Sequence, residues 1–427
     1  MKITRACICV GCLGVATTMW AQHSQAWIPG SMSMETERAT HHLSLSLLGF
    51  TEYNDNRNAT KTNKKGTFLS GIGPQIAYKA SLPAWGFFIT YNPMYTWWSS
   101  PSPGTHQYEW THALALNGDL DLTPRTSVNI ENRFWLTQDP TVFLTGDFYD
   151  NDGLLQEAGE PWDASHWDNR TTVGLVHTFS DRFRANADAT YRVLKYLKRP
   201  THRMYNFDES QIMTSLNLWH QVTFHLDGGL GFSYNRYMRD SSAATDTDMD
   251  MDTYTVSLMA NYKLTGGIDF RGSWGYQIVS YDDPRMGSRS YPMDVDLSLK
   301  AALTSRSELV SGYRQMVSQA IHYPYVSQTR YSLYAVYFYR HTEHLTSNWR
   351  TEYIYSGYRQ ANSVDANSSS GSISEIFFRG SLDYRMTKDF TLSGYYSLRN
   401  VWVDKADPFA GNAFTRNIVG VRGTYVF

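Results

Sequence analysis

Past its twelfth residue the chain contains no cysteine. All three, Cys7, Cys9 and Cys12, fall in a segment with the layout of a secretory signal. Lys2 and Arg5 form a basic start, Ala6 to Thr18 an apolar stretch, and the small residue Ala21 a cleavage point before Gln22. Cleavage there leaves a mature chain with no disulfide framework, thiolate metal site or cysteine nucleophile. Cys12 invites a lipoprotein reading, but Cys9 stands where such signals carry an aliphatic residue, so the expectation is cleavage without lipidation.

A basic excess is also missing. Without Lys2 and Arg5 the 38 Lys and Arg fall to 36, against 40 Asp and Glu, a net of −4. Nucleic acid is therefore not an expected partner. Long apolar runs are absent after the signal, so no stretch reaches the roughly 20 residues of a membrane helix. The mean hydropathy is −0.44, yet the chain holds 30 Tyr and 13 Trp. A membrane β-barrel combines these properties, because it needs only one apolar residue in two plus aromatic girdles at both interfaces.

Alternation supplies the positive signal. Tyr108, Trp110, Leu114, Leu116, Leu120 and Leu122 share one parity, and Glu109, Thr111, Asn117, Asp119 and Asp121 the other. Such a split lines the two faces of a strand and would scatter around a helix. Ile376, Phe378, Leu382, Tyr384 and Met386 repeat it against Glu375, Arg379, Ser381, Asp383 and Arg385. The last residues, Gly420 to Phe427, alternate to the end and stop on an aromatic side chain.

The breaks are of two kinds. Short turns fall near Ser81–Pro83, Thr123–Arg125, Ser180–Arg182, His220-Gln221, Thr265-Gly266, Thr304–Arg306, Thr342-Glu343 and Thr387–Asp389. Longer polar loops lie between them, the third and longest being Gln138–His166. Eight turns and nine loops imply about eighteen strands, an even number that puts both termini on one side, with short periplasmic turns and long external loops. A β-propeller also repeats at about 40 residues, but its blades need four short strands per unit, whereas each unit here reads as two strands of about 10 to 14 residues. The expectation is an all-β, up-and-down transmembrane barrel over residues 41–427, preceded by a signal at 1–21 and a periplasmic lead-in at 22–40. The strand at His42–Tyr53 should meet the last strand and close the cylinder. Pro74 and Pro93 sit inside expected strands, where each removes a ladder donor.

Eighteen strands enclose an aqueous lumen, which makes passive transport the first functional expectation. The third loop carries Asp139, Asp147, Asp150, Asp152, Glu157, Glu160 and Asp163 with no Lys or Arg. Folded inward, its Asp147, Asp150, Asp152, Glu157 and Glu160 would face lumen arginines drawn from Arg133, Arg192, Arg271, Arg379, Arg399, Arg416 and Arg422, setting a transverse field that selects polar solutes. A solvated surface loop is the alternative. Asp147, Asp150, Asp152 and Gly153 miss the calcium-loop pattern because Phe148 occupies its first position. Adjacent His41 and His42 point to opposite faces of a strand and make a poor metal pair. His225, Asp227 and Ser233 are the hydrolase candidates, but Ser233 lies six residues beyond Asp227 along the strand, roughly 20 Å away. No enzyme activity and no cofactor is expected.

Tyr53-Asn54-Asp55-Asn56, at the end of the first strand, resembles the Tyr-Asp-Asp-Asn or Ser-Asp-Asn element of the β-barrel porin 2 type outer-membrane families. The resemblance extends to the hairpin organisation and the aromatic end. It implies an outer-membrane barrel of similar length, in some members tied to exopolysaccharide export, and carries over no functional residues. The combined reading is a bacterial outer-membrane, porin-like channel for small hydrophilic solutes, with outer-membrane lipid around it. Its insertion by the barrel-assembly machinery would be guided by the strand ending at Phe427. The alternative is a closed barrel with a structural or envelope-binding role linked to surface polysaccharide.

Overall fold

A computed structural model of the chain describes residues 40–56, 61, 64–100, 106–137, 166–197, 208–239, 250–264, 267–282, 288–319, 325–360, 371–403 and 413–427. The expected signal and most of the lead-in lie outside them. So does the third loop, apart from His166.

The described chain is eighteen strands. In order they are β1 Thr40–Asn54, β2 Thr67–Ser81, β3 Trp85–Trp98, β4 Tyr108–Thr123, β5 Thr126–Thr137, β6 His166–Ser180, β7 Phe183–Tyr196, β8 Glu209–Gln221 and β9 Leu226–Arg239. They continue as β10 Met251–Leu264, β11 Ile268–Tyr281, β12 Ser288–Thr304, β13 Ser307–Gln319, β14 Tyr325–Arg340, β15 Leu345–Gln360, β16 Ser372–Arg385, β17 Phe390–Val403 and β18 Phe414–Val426. Each pairs antiparallel with its sequence neighbours, and β1 pairs β18 from Ser46↔Val426 to Asn54↔Ile418, closing the sheet. The strands run from 12 to 17 residues, longer than the membrane alone demands. The first begins at Thr40, one residue before the expected barrel boundary.

Closure gives every strand a partner on both sides over most of its length, the condition for a sheet to stand in hydrocarbon. Alternation then sorts the faces. Leu230, Phe232, Val256, Leu258, Trp274, Val419, Val421 and Tyr425 are exposed on the outer surface. Their sequence neighbours Gly231, Ser257, Gly420 and Thr424 turn inward. The outer face is thus an apolar belt facing lipid.

The turns have a shared chemistry. At Thr123, Thr223, Thr304, Thr342 and Thr387 the threonine Oγ1 accepts a backbone N–H two residues on. This local bond competes with the ladder and fixes the reversal. Gly267 opens β11 at φ +87°, a backbone region suited to glycine. One expected turn moves: the break placed at His220-Gln221 falls after Gln221, where Val222 and Thr223 both donate backbone N–H to the carbonyl of Leu226. A polar dipeptide inside a strand had the look of a turn.

The two prolines face each other. β2 and β3 pair at Ile72↔Tyr95 and again at Ile76↔Tyr91. In that register Pro74 stands opposite Pro93, and the ladder is interrupted between. Register survives because β2 stays paired to β1 throughout, including Leu47↔Pro74.

Candidate functional site: the barrel lumen

Among the described residues, a run of arginines lies on the inner wall from β14 to β18. Arg330, Arg350, Arg379, Arg399, Arg416 and Arg422 all occupy inward parity there. Glu52, Glu352 and Glu375 are interleaved with them. Arg350 Nη2 lies 2.9 Å from Glu352 Oε2, and Ser332 donates to Glu352 Oε1 at 2.6 Å. Arg399 Nη2 donates to Glu375 Oε2 at 2.9 Å. The Tyr395 hydroxyl crosses from β17 to donate to Glu52 Oε2 at 2.6 Å. Arg379 stacks on the Tyr395 ring at 5.6 Å, while Arg399 and Arg416 approach the Phe414 ring at 5.7 and 5.5 Å. Partners on the same strand, for Arg350 and Arg416, or on the next one, for Arg379 and Arg399, orient these guanidiniums as fixed donors.

Across the lumen the charges are more evenly matched. Arg133 and Glu131 share the inner face of β5, 2.5 Å apart. Arg192 on β7 grips Asp168 on β6 through Nε and Nη2, the latter at 2.5 Å. Arg239 meets Glu209 at 2.6 Å. Near the turn end, Arg184, Asp227, Lys263, Asp269 and Arg271 line a small hollow, with Arg184 stacked over Trp219 at 5.7 Å. Arg314 pairs with Asp296 at 2.8 Å, and Lys300 with Glu308 at 3.0 Å.

The sequence-derived arginines therefore fall into three groups. Arg379, Arg399, Arg416 and Arg422 come together on adjacent strands. Arg133 and Arg192 stand on another side, and Arg271 lies apart at the turn end. Asp147, Asp150, Asp152, Glu157 and Glu160 lie outside the described residues, as does Phe148 with the calcium-like pattern. His225 is exposed in a turn, away from the inward face of β9 that carries Asp227 and Ser233. His41 on the outer surface bonds the Tyr78 hydroxyl at 2.7 Å.

Sequence reasoning missed Arg330 and Arg350, although each shares parity with polar neighbours, Gln328 and Ser332 in one case and Glu352 in the other. It also missed that parts of the inner wall are apolar. Leu48, Phe50, Leu69, Met94 and Trp98 form one buried inward cluster. Tyr358, Ile373 and Val401 form another, and Ile354 with Phe377 a third. The signal was present in doublets such as Leu47-Leu48 and Phe377-Phe378, where both parities are apolar.

Apolar outside, largely polar inside and closed by β1 against β18, the cylinder suits one environment. The chain is a bacterial outer-membrane β-barrel. No family model matches it, and no curated protein matches it by sequence. Among solved structures it is similar to Acinetobacter baumannii OccAB4, with a TM-score of 0.47, 13% identity, and coverage of 93% of this chain and 100% of that one. Pseudomonas aeruginosa OpdQ gives 0.46 and 11%, covering 91% and 98%. The ferric citrate transporter FecA, unliganded, gives 0.47 and 11%, covering 88% of this chain and 63% of that one. At these identities the likeness concerns the barrel architecture alone.

Proposed function

We propose that the barrel is a passive, porin-like channel for small hydrophilic solutes. The observation that carries this reading is the run of inward arginines on β14 to β18, of which Arg350 is held by Glu352, Arg399 by Glu375, and Arg379 by the ring of Tyr395, itself bonded to Glu52. Charges are inexpensive where they meet water and costly toward lipid, so a wall this ionic favours a hydrated lumen. Counting Arg385 and Asp383 on the same face, seven guanidiniums stand against four carboxylates, Glu52 of β1 among them, and give the wall a positive field that favours anionic or polar solutes over cations. In this reading the acidic segment of Gln138–His166 is the counter-charge across the lumen, and the protein has no enzymatic role. Insertion would use the barrel-assembly machinery through the strand ending at Phe427. Membership in the β-barrel porin 2 type families belongs to the same proposal and rests on Tyr53 to Asn56.

Planar-bilayer conductance and liposome swelling with small sugars test the channel. Discrete conductance steps and sugar-dependent swelling are expected. Folded protein that yields neither would leave the closed barrel with an envelope-binding role, a reading that the tightly packed inward clusters favour.

A further inference from the structure

At the loop end the cylinder is overlapped rather than simply closed. Pairing between β12 and β13 begins at Val295↔Gln315 and runs toward the turn. Beyond it β12 continues to Ser288 beside β11, and β13 continues to Gln319 beside β14. A bulge in the β11–β12 register between Gly275 and Gln277 marks where the two strands part from the common wall.

On the side away from β14, β13 above this point contacts β11, across the intervening strand. The side-chain amide of Gln277 donates through Nε2 to the Val317 carbonyl and accepts the Val317 N–H through Oε1, both at 3.3 Å. One side chain thus takes both ladder bonds that a neighbouring strand would make. The Tyr281 hydroxyl on β11 donates to Ser327 Oγ on β14 at 2.7 Å. Val317 packs in one buried cluster with Met251, Val279 and Tyr281, flanked by Tyr237 and Tyr291.

Parity gives the direction. Val279 and Tyr281 are inward positions of β11, whereas Val317 and Ser327 have outward parity on β13 and β14. Outer face meets inner face, so the strand ends around Val317 of β13 and Ser327 of β14 lie inside the cylinder on the lining of β10 and β11.

We propose that these strand ends form a size-selecting constriction of the lumen, and that Gln277 is the residue that positions them; the inference rests on the channel reading above. Eighteen strands about 4.8 Å apart and tilted near 40° leave about 35 Å between opposite backbones. A sheet layer packed on the inner face removes about 10 Å of that span. The strand ends supply, from the wall itself, a restriction of the kind that an inward loop supplies elsewhere.

The test compares the wild type with Gln277→Leu, which keeps the volume and removes both bonds to Val317. A second variant, Tyr281→Phe, removes the bond to Ser327 with less disturbance. Each is purified as the folded barrel, checked by its heat-dependent gel shift, and read in two ways. Single-channel conductance should rise about 1.4-fold in Gln277→Leu, the ratio of cross-sections when a layer of about 10 Å leaves one side of a lumen about 35 Å across. It should rise less in Tyr281→Phe. In parallel, Val317→Cys should react slowly with a hydrophilic maleimide in the Gln277 background and at least about ten times faster beside Gln277→Leu, as burial gives way to water.

Rapid labelling of Val317→Cys beside intact Gln277 overturns the packing. Faster labelling with unchanged conductance overturns the constriction while leaving the channel standing. A silent wild type with a conducting Gln277→Leu supports the constriction in its closed form. Silence in every folded variant removes the channel reading, and the constriction with it.

Discussion

Asp55 and Asn417, 362 residues apart in sequence, clasp the loop end of the closing seam. The Asp55 carboxylate accepts from the Asn417 backbone N–H and from its side-chain amide, both at 2.7 Å. The Asp55 N–H donates to the Asn417 carbonyl at 3.0 Å. Asn56 adds a side-chain bond to the Thr415 carbonyl at 2.8 Å, and its own N–H is capped by Asn54 Oδ1 at 3.0 Å. The four-residue element at Tyr53 to Asn56 therefore fastens β1 to β18 just past the last paired residues.

This clasp predicts where the barrel opens first. The β1–β18 seam has only nine paired positions against fifteen for β1–β2, so added bonds count for more there. Asp55→Ala should remove about 1–2 kcal/mol, two charge-assisted bonds discounted for partial exposure. The measurement is the temperature at which folded protein shifts on a denaturing gel. It should fall in Asp55→Ala and fall less in Lys61→Ala, a control on the neighbouring loop.

The interrupted β2–β3 ladder yields a second prediction. A Cβ on Gly73 would run into the carbonyl oxygen of Pro93 and the Cα of Met94. These are backbone atoms, unable to rotate away as a side chain can, and the two prolines already deprive this stretch of donors. Gly73→Ala should cost about 1–3 kcal/mol, the usual range for forced overpacking. Gly394→Ala meets nothing within 4 Å and should leave the same thermal shift unchanged.

These residues show what a sequence reveals of such a fold and what it withholds. Alternation has period two, so each strand declares its own faces, and the Thr-containing turns declare where it reverses. The strand count, the closure by the last strand and the inward parity of Arg379, Arg399, Arg416 and Arg422 were all legible for that reason. Contacts between strands distant in sequence were not. Glu52 meets Tyr395, and Gln277 meets Val317, only because of closure and of the bulge near Gly275. Apolar residues on inward positions, such as Trp98 and Phe50, broke the two-face rule. Their cause is packing against neighbours inside the cylinder, which period two does not encode.

A third prediction sets two adjacent residues against each other. Leu258 is 56% exposed on the outer surface midway along β10, and Ser257 beside it faces the lumen. Leu258→Arg should destabilise the inserted barrel by about 2–4 kcal/mol, the depth-dependent cost of a guanidinium facing lipid. Ser257→Arg places the same group toward water and should leave stability near the wild-type value. Urea unfolding in lipid vesicles reads both. Equal losses in the two variants would contradict the assignment of faces.

The last prediction concerns charge selection by the arginine wall. Glu375 neutralises Arg399 from the next strand at 2.9 Å. Glu375→Gln keeps the shape, and its amide oxygen can still accept from Arg399, but one negative charge leaves the lining. The field at the wall becomes more positive, so the reversal potential under a potassium chloride gradient should move toward that of chloride. Arg399→Gln should move it the opposite way. The pair Glu375→Gln with Arg399→Gln restores the net charge, and its reversal potential should return close to the wild-type value. Both effects should shrink in molar salt, where the screening length falls to about 3 Å. A salt-independent change would point instead to altered packing around Phe414, whose ring Arg399 approaches at 5.7 Å.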